Sequence, residues 1–218
     1  MKKNLTIETL IEEARVFCDL MSRKNHVNLI GVTDGKAVGT YIEHEFKNFL
    51  QCRYVFSEGN SAKGVDFPDE NILTDIKVTS ILQPQSSCPF KSARQKIFGL
   101  GYNLLVFVYE KIDSTMTCTL RFLNCTFIDK SRTADFTITK RLREMLKDGA
   151  NSEDIVAFLS DRNIPGDELT LINLAEEILN TPPQQGYLTI SNALQWRLQY
   201  SRVLALKNSV SGVVNHER

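Results

Sequence analysis

The amino-acid sequence predicts an α/β fold for this chain of 218 residues. Three features indicate it. Two helical patterns come first, a run of apolar residues follows at 104–109, and another helical pattern separates that run from a strand-like stretch at 72–78. A fully apolar strand is typical of a sheet covered on both faces, and strand, helix, strand is the order of the crossover that joins parallel strands.

The predicted elements follow one another along the chain. Apolar residues at helical spacing predict helices over 7–21 and 37–51. Strands are predicted at 53–56, as a hairpin within 64–80, and at 104–109, 116–122 and 125–128, with further helices at 90–98, 139–147, 153–161, 168–179 and 191–206. We expect a first domain over residues 1–138 and a helical C-terminal region over 139–218, which is either separate or part of the same domain.

Basic and acidic residues balance, at 26 each, but they are unevenly distributed. A net charge of zero argues against non-specific wrapping of nucleic acid and leaves room for a local basic patch. The segments 76–109 and 182–216 contain basic residues and no acidic ones, whereas 148–180 has eight acids against Arg162. A polyanion would be held by the first two segments and repelled by the third.

The acidic segment also has the pattern of two short helices around a sharp turn at 163–166, as in a helix-turn-helix. A recognition helix inside a segment of this charge would be pushed away from phosphates. We therefore expect the segment to serve in dimerisation or as scaffold.

The five cysteines are odd in number and lack CxxC spacing, so reduced core thiols are expected. No apolar signal region follows the positively charged start, and the longest apolar run is too short to cross a bilayer. The sequence therefore predicts a cytoplasmic protein without a membrane partner.

The stretch 64–80 places three ionisable side chains in an apolar, strand-like context. The turn signal at 68–71 predicts a hairpin in which Phe67 pairs with Ile72. In that register Asp66, Asp75 and Lys77 share one face of the sheet. The two carboxylates are then diagonal neighbours about 7–8 Å apart at the backbone, so both could reach a common point.

These groups suit the hydrolysis of phosphodiesters with a divalent metal. The two carboxylates and the backbone carbonyl of Ile76 offer hard oxygen ligands for Mg²⁺. Lys77 could polarise the attacking water, stabilise the transition state or act as a base. Taken alone, acid-x-Lys is also common on an edge strand whose charges are merely solvated.

With these residues the sequence resembles the PD-(D/E)xK nuclease superfamily, and in particular type II restriction endonucleases. The resemblance spans residues 39–109. It rests on the helix GTYIEHEFKNFL, on Asp66, on Asp75-Ile76-Lys77, on the basic helix FKSARQKIFGLGYN and on the strand LLVFVY. It implies a restriction-endonuclease-like mixed β-sheet core flanked by helices, with a helical C-terminal portion.

The resemblance also implies a glutamate ligand on the helix before the site. That helix often carries the pattern apolar-Glu-x-x-apolar-x-x-apolar, which Ile42-Glu43-x-x-Phe46-x-x-Phe49 matches. Glu43 is therefore favoured over Glu45 as a second or water-mediated metal ligand.

The first aspartate departs from the family pattern, in which a proline usually precedes it. Asp66 follows Val65, and Pro68-Asp69 lies in the predicted turn. Asp69 would leave only five residues before Asp75, too few for two paired strands. Asp66 is therefore the expected first ligand.

Candidate DNA contacts can be sorted by residue type. Basic side chains suit phosphates, and amides or hydroxyls in the loop after the acid-x-Lys strand suit base edges. The phosphate candidates are Lys91, Arg94, Lys96, Arg141 and Arg197, and the base-edge candidates are Gln83, Gln85, Ser86 and Ser87. A solvated helix face and an ordinary polar turn are the alternatives.

The resemblance implies a Mg²⁺-dependent type II restriction enzyme that cleaves double-stranded DNA at a short recognition sequence in a bacterial cytoplasm. It further implies a homodimer, whose two-fold axis matches that of the DNA site, and a cognate DNA methyltransferase in the same system. Two alternatives stay open: a structure-selective repair or junction nuclease of the same fold, and a DNA-binding module that no longer cuts.

Overall fold

The computed structural model describes residues 2–59, 64–88, 91–191 and 196–217. They form two units, each with its own hydrophobic core. Unit 1 comprises Met1–Ser86, Tyr102–Ile128 and Leu204–Arg218, and unit 2 comprises Ser87–Gly101 and Asp129–Val203. The boundary predicted at residue 138 differs from this division, because the segment 87–101 groups with the helical unit and the C-terminal residues return to unit 1.

Helices and strands occur in both units. In chain order the strands are β1 (Lys3–Asn4), β2 (Tyr54–Val55), β3 (Thr74–Ser80), β4 (Gln85–Cys88), β5 (Asn103–Asp113), β6 (Cys118–Ile128), β7 (Thr189–Ser191), β8 (Trp196–Gln199) and β9 (Val213–Glu217). The helices are α1 (Ile7–Met21), α2 (Gly35–Gln51), α3 (Arg94–Phe98), α4 (Phe136–Lys147), α5 (Ser152–Asp161), α6 (Glu168–Asn180) and α7 (Ser201–Leu204), with 3-10 turns at Val27–Leu29 and Lys130–Arg132.

Helices α1 and α2 of unit 1 form where the apolar spacing predicts them. The side chains of Thr6 and Asp34 cap them by accepting hydrogen bonds from backbone amides of the first turns. Their apolar stripes are buried against the sheet: the ring of Phe17 lies 5.0 Å from that of Phe46 and 5.8 Å from that of Phe107 on β5. Aromatic contacts of this kind tie both helices to the core.

One mixed four-stranded sheet organises unit 1, in the order β3-β5-β6-β9. β3 runs parallel to β5, with Asp75 opposite Leu104, and β6 runs antiparallel to β5 and β9. The apolar run of β5 from Leu104 to Tyr109 is buried throughout. The predicted α/β fold, a mixed sheet flanked by helices, is confirmed, and the acid-x-Lys tripeptide lies on the edge strand β3.

The predicted pairing of Phe67 with Ile72 is wrong. Phe67 pairs instead with Thr74, through backbone hydrogen bonds of 2.9 and 3.0 Å. The turn extends to Leu73 because the carbonyl of Asp69 accepts from the amides of residues 72 and 73, and Ile72 is buried in the core. The register moves by two residues, which preserves the alternation of the pleat, so the acidic residues flanking the turn keep their predicted side.

Unit 2 has a helical core formed by α3, α4, α5 and α6. Ile97, Leu142, Ile155 and Ile178 are among its buried residues. The acidic segment 148–180 supplies α5 and α6. Several of its acidic residues stand at the N-termini of these helices, where carboxylates accept hydrogen bonds from backbone amides and interact favourably with the positive end of the helix dipole. Residues of this segment thus pack into the core of unit 2.

The helix predicted over 191–206 is wrong at 196–199, which form a strand; residues 192–195 lie outside the described part of the chain, and Ser201–Leu204 is helical. The chain forms β7 and β8, which pair antiparallel with Ile190 opposite Leu198, and then the one-turn helix α7. Leu198 and Tyr200 are buried whereas Arg197 is exposed. Burial alternates here with the period of a strand rather than that of a helix. The strand β9 was not predicted.

Other predicted segments have different bounds. The polar loop predicted over 80–89 contains β4, whose Ser87 and Cys88 belong to unit 2 and which joins a sheet of order β4-β8-β7. The helix predicted over 90–98 shortens to α3, and residues 89 and 90 lie outside the described part of the chain. The two strands predicted within 116–128 form the single strand β6. Among the described residues, no helix combines the length and apolar character that a membrane span requires.

Candidate active site

One face of α2 points toward the edge strand β3. Gly39, Glu43 and Lys47 are spaced four residues apart and therefore lie along the same side of the helix. A Cβ at Gly39 would stand 3.8 Å from the Cβ of Val78 on β3, so the two backbones approach closely there. This approach places the charged side chains of the face beside the acidic residues of the site.

Asp66 is held by one hydrogen bond to each of its carboxylate oxygens. Its Oδ2 accepts from the backbone amide of Ile76 at 2.8 Å, and its Oδ1 accepts from Nζ of Lys47 at 2.5 Å. The side chains of Asp66 and Lys47 are 17% and 15% exposed. Partial burial and the second hydrogen bond, from Ile76, make this contact stronger than an exposed surface ion pair.

Asp75 and Lys77 lie two residues apart on β3 and thus on the same side of the strand. Nζ of Lys77 is 2.7 Å from Oδ2 of Asp75, an ion-pair contact without the angles of a hydrogen bond. Among the described residues, none donates a hydrogen bond to that buried oxygen. The ammonium of Lys77 is the positive charge that stands beside this oxygen in the metal-free protein.

The carboxyl groups differ in pKa because they differ in partners. Burial raises the pKa of Asp75 to about 7, against the lowering effect of Lys77 and with a further rise from Asp66. Burial acts in the same direction on Asp66, but hydrogen bonds from Lys47, from the Asp75 carboxyl and from the amide of Ile76 together lower the pKa of Asp66. Asp66 is therefore the more readily ionised of the two carboxyl groups.

Glu43 lies near this pair, unlike Glu45. Burial raises the pKa of Glu43, and the charges of Asp66 and then Lys77 are the next largest influences on it. Glu45 instead forms an ion pair with Lys24 at 2.6 Å. The structure thus brings Glu43 into the electrostatic neighbourhood of the site and Glu45 into a separate ion pair.

The donor set fits a divalent metal with few protein ligands. In the described part of the chain no cluster of three or more His, Cys, Asp or Glu side chains could hold a metal ion. Asp66 and Asp75 are adjacent, and Ile76 between Asp75 and Lys77 adds a carbonyl. Mg²⁺ is commonly bound by one or two carboxylates and keeps several waters, so two carboxylates and a carbonyl are sufficient for it.

The base-edge candidates do not share one environment. Gln83 is exposed in the turn after β3, whereas Gln85 and Ser86 are half-buried. The hydroxyl of Thr79 fixes this turn, because it lies 3.0 Å from the carbonyl of Gln83 and accepts from the amide of Gln85 at 3.1 Å. Ser87 is exposed but stands in β4 rather than in a loop.

The structure corrects the expectation that Lys96 faces solvent on the basic helix. Lys96 is only 5% exposed, and burial lowers its pKa, opposed by the charge of Asp135. Arg94 on the same helix is exposed, but it forms an ion pair with Glu177 at 2.7 Å and lies over the ring of Phe98 at 4.6 Å. In this structure Lys96 cannot contact a phosphate.

The other phosphate candidates are exposed in different settings. Lys91 precedes α3 and is exposed. Arg141 is exposed on α4, with its guanidinium 3.6 Å from Glu144. Arg197 is exposed on β8, not on the helix that the sequence predicted for it.

Lys47 is a site residue that the sequence analysis missed. It binds Asp66 directly, yet the resemblance drew attention only to Glu43 on this helix. The available signal was spacing, because a residue four positions after Glu43 faces the same side of a helix.

The chain matches known proteins over almost its whole length. A family model described as type II restriction enzyme NspV matches residues 4–215. The chain is 56% identical over 212 residues to the type II restriction enzyme NspV of Nostoc sp. (strain ATCC 29411 / PCC 7524), which covers 96% of each protein. No solved structure matches the chain. The chain therefore belongs to the family of the type II restriction enzyme NspV.

Proposed function

We propose that this enzyme hydrolyses phosphodiester bonds of double-stranded DNA at a short recognition sequence and depends on Mg²⁺. The observation that carries the proposal is the convergence of Asp66 and Asp75 beside Lys77 on the edge strand β3. Membership of a restriction enzyme family supports the choice of DNA as the substrate.

In this proposal Asp66, Asp75 and the carbonyl of Ile76 would hold the metal, with Glu43 as a second or water-mediated ligand. The ion supplies positive charge near the reacting phosphate and increases the acidity of water. The ammonium of Lys77 lies beside Asp75, where it can orient the attacking water and stabilise the negative charge that develops on the phosphate oxygens. Water loses a proton and adds to phosphorus, the bond to the leaving sugar oxygen breaks, and that oxygen takes up a proton, so the number of protons is conserved.

Substrate contacts divide between positioning and sequence readout. We assign base-edge contacts to Gln83, Gln85, Ser86 and Ser87, with Gln83 the most accessible of them. We assign phosphate contacts to the exposed basic residues Lys91, Arg94, Arg141 and Arg197. Binding of DNA by Arg94 requires exchange of its partner Glu177 for a phosphate.

A palindromic target cut on both strands favours a homodimer, since a two-fold protein then matches a two-fold site. A sedimenting species of twice 24.8 kDa would support it. A restriction enzyme must also spare the DNA of its host, so we place a cognate methyltransferase in the same system and the enzyme in the bacterial cytoplasm.

The test is a plasmid digest in Mg²⁺ by the wild type, by Asp75→Ala and by Lys77→Met, with duplex binding measured in parallel. We expect sequence-defined fragments from the wild type and a loss of about 10³-fold or more in rate for each variant with binding retained. Lys111→Met, which removes another half-buried lysine of unit 1 paired with an aspartate, is the matched control and should cut normally.

Two results would contradict the proposal. Binding of duplex by the wild type without cleavage in Mg²⁺ would indicate a DNA-binding module. Cleavage of branched DNA with intact duplex untouched would indicate a structure-selective nuclease of repair or junction resolution.

A further inference from the structure

Each aspartate of the candidate site has its own lysine. Lys47 contacts Asp66 at 2.5 Å, and Lys77 contacts Asp75 at 2.7 Å. In the described part of the chain, none of the ion pairs involves Glu43. With all five groups ionised, three carboxylates and two ammonium groups give the site a net charge of −1.

The two lysines reach the site from different elements. Lys77 extends from β3 itself, next to the carboxylate that it contacts, whereas Lys47 extends from α2. The amide of Ile76 donates to Oδ2 of Asp66 and Lys47 contacts Oδ1, so a divalent cation that binds at Oδ1 meets the ammonium of Lys47. An ammonium group and a divalent cation cannot both stand within ligand distance of one oxygen without strong repulsion.

We propose that Lys47 is a positioning residue that competes with the divalent cation for Asp66. Its ammonium neutralises Asp66 in the metal-free enzyme and leaves Oδ1 when a metal binds. This inference rests on the proposed function, because it takes Asp66 and Asp75 as the metal ligands. The consequence is a low affinity of the DNA-free enzyme for the divalent metal, because Lys47 contacts a ligand oxygen.

The charge of the site gives the size of the effect. Without the ammonium of Lys47 the site has a net charge of −2, so a divalent ion is neutralised within it. Interactions between partly buried charges are worth several times those in bulk water. We expect Lys47→Met to bind a divalent ion about 10–100-fold more tightly than the wild type, which corresponds to about 1.4–2.8 kcal/mol.

The experiment is a titration of the DNA-free enzyme with Mn²⁺, in which free Mn²⁺ is followed by electron paramagnetic resonance. Lys47→Met should lower the dissociation constant by the stated factor, and Lys47→Arg, which keeps the charge, should stay within about threefold of the wild type. Lys111→Met removes one charge from an equally buried lysine of unit 1 and controls for the general loss of positive charge. Lys47→Gln repeats the measurement without the charge if the methionine variant does not fold.

Two outcomes overturn the inference, and they are distinguishable. If Asp75→Asn abolishes Mn²⁺ binding but Lys47→Met binds no more tightly than the wild type, Lys47 does not compete and the metal site stands. If Asp75→Asn leaves Mn²⁺ binding unchanged both in the wild type and in Lys47→Met, the metal site of the proposed function is wrong as well. Tighter binding by Lys47→Met that requires Asp75 supports the inference.

Discussion

Asp75 is the side chain whose charge depends most on its surroundings. An aspartate in the unfolded chain titrates near 3.8, whereas burial raises the pKa of Asp75 to about 7 in the folded protein. Between these values the folded state binds more protons at this group than the unfolded state. The contribution of Asp75 to the free energy of unfolding therefore falls as the pH rises from about 4 to about 7, and is constant above that range.

We predict that Asp75→Asn stabilises the metal-free protein on the alkaline side. The advantage of Asn over Asp in the free energy of unfolding should grow by about 1–3 kcal/mol between pH 5 and pH 8. An amide at this position can turn its oxygen toward Lys77 and donate from its nitrogen to Asp66. Urea unfolding of both proteins in the presence of a metal chelator, repeated at several pH values, measures this difference in the free energy of unfolding.

Asp69→Asn is the control for this experiment. A hydrogen bond with Ser57 lowers the pKa of Asp69, so this carboxyl is ionised in both states throughout that pH range. The difference between Asp69→Asn and the wild type should not change with pH. If the difference in the free energy of unfolding between Asp75→Asn and the wild type did not change with pH, the carboxyl of Asp75 would be ionised throughout this pH range in the folded wild type.

The contact between α2 and β3 is the element-level feature on which the site depends. Gly39 lies on the helix face that carries Glu43 and Lys47, and it is buried next to Val78. A methyl group at 3.8 Å from the neighbouring Cβ is an ordinary van der Waals contact, whereas a longer side chain would extend further toward β3. The helix and the strand therefore have a fixed separation at this point.

We predict opposite effects for two substitutions at Gly39. Gly39→Ala should raise the free energy of unfolding by about 0.5–1 kcal/mol, because alanine favours the helix, and should leave cleavage intact. Gly39→Leu should lower it by about 1–3 kcal/mol and reduce the cleavage rate, because the displaced helix carries Glu43 and Lys47 away from Asp66. Chemical denaturation and plasmid digestion measure both. Equal activity of the two variants would mean that the position of α2 does not control the site.

At the scale of the whole molecule, burial separates the cysteines into two classes. The five cysteines, all within the described residues, form no disulfide; Cys18, Cys88, Cys118 and Cys125 are buried, but Cys52 is exposed at the end of α2. The prediction of reduced thiols agrees with this, whereas the placement of Cys52 in the core is wrong. The helix ends there, so the residue lies beyond the buried stripe.

We predict that a thiol reagent modifies one cysteine quickly in the native protein and all five in denaturant. Cys52→Ser should remove the fast phase and leave the four slow thiols, because those react only when a core opens. With an aromatic disulfide as the reagent, the absorbance of the aromatic thiolate that it releases measures the number of cysteines that have reacted. Two or more fast thiols in the native wild type would contradict the burial of the other four.

The sequence by itself determined the elements that have one consistent period. The helical stripes of α1 and α2 and the apolar run of β5 were predicted because local spacing and burial agree there. The side of the strand taken by Asp75 and Lys77 was predictable for the same reason, since the pleat alternates with a period of two regardless of register.

Only the tertiary structure decided which residues meet across elements. The partner of Phe67, the strands β8 and β9, the burial of Lys96 and the ion pair between Lys47 and Asp66 depend on packing between segments distant in sequence. Local periodicity gives the face on which a side chain lies but not what covers that face. Long-range burial and hydrogen bonding choose among the pairings that the local pattern allows.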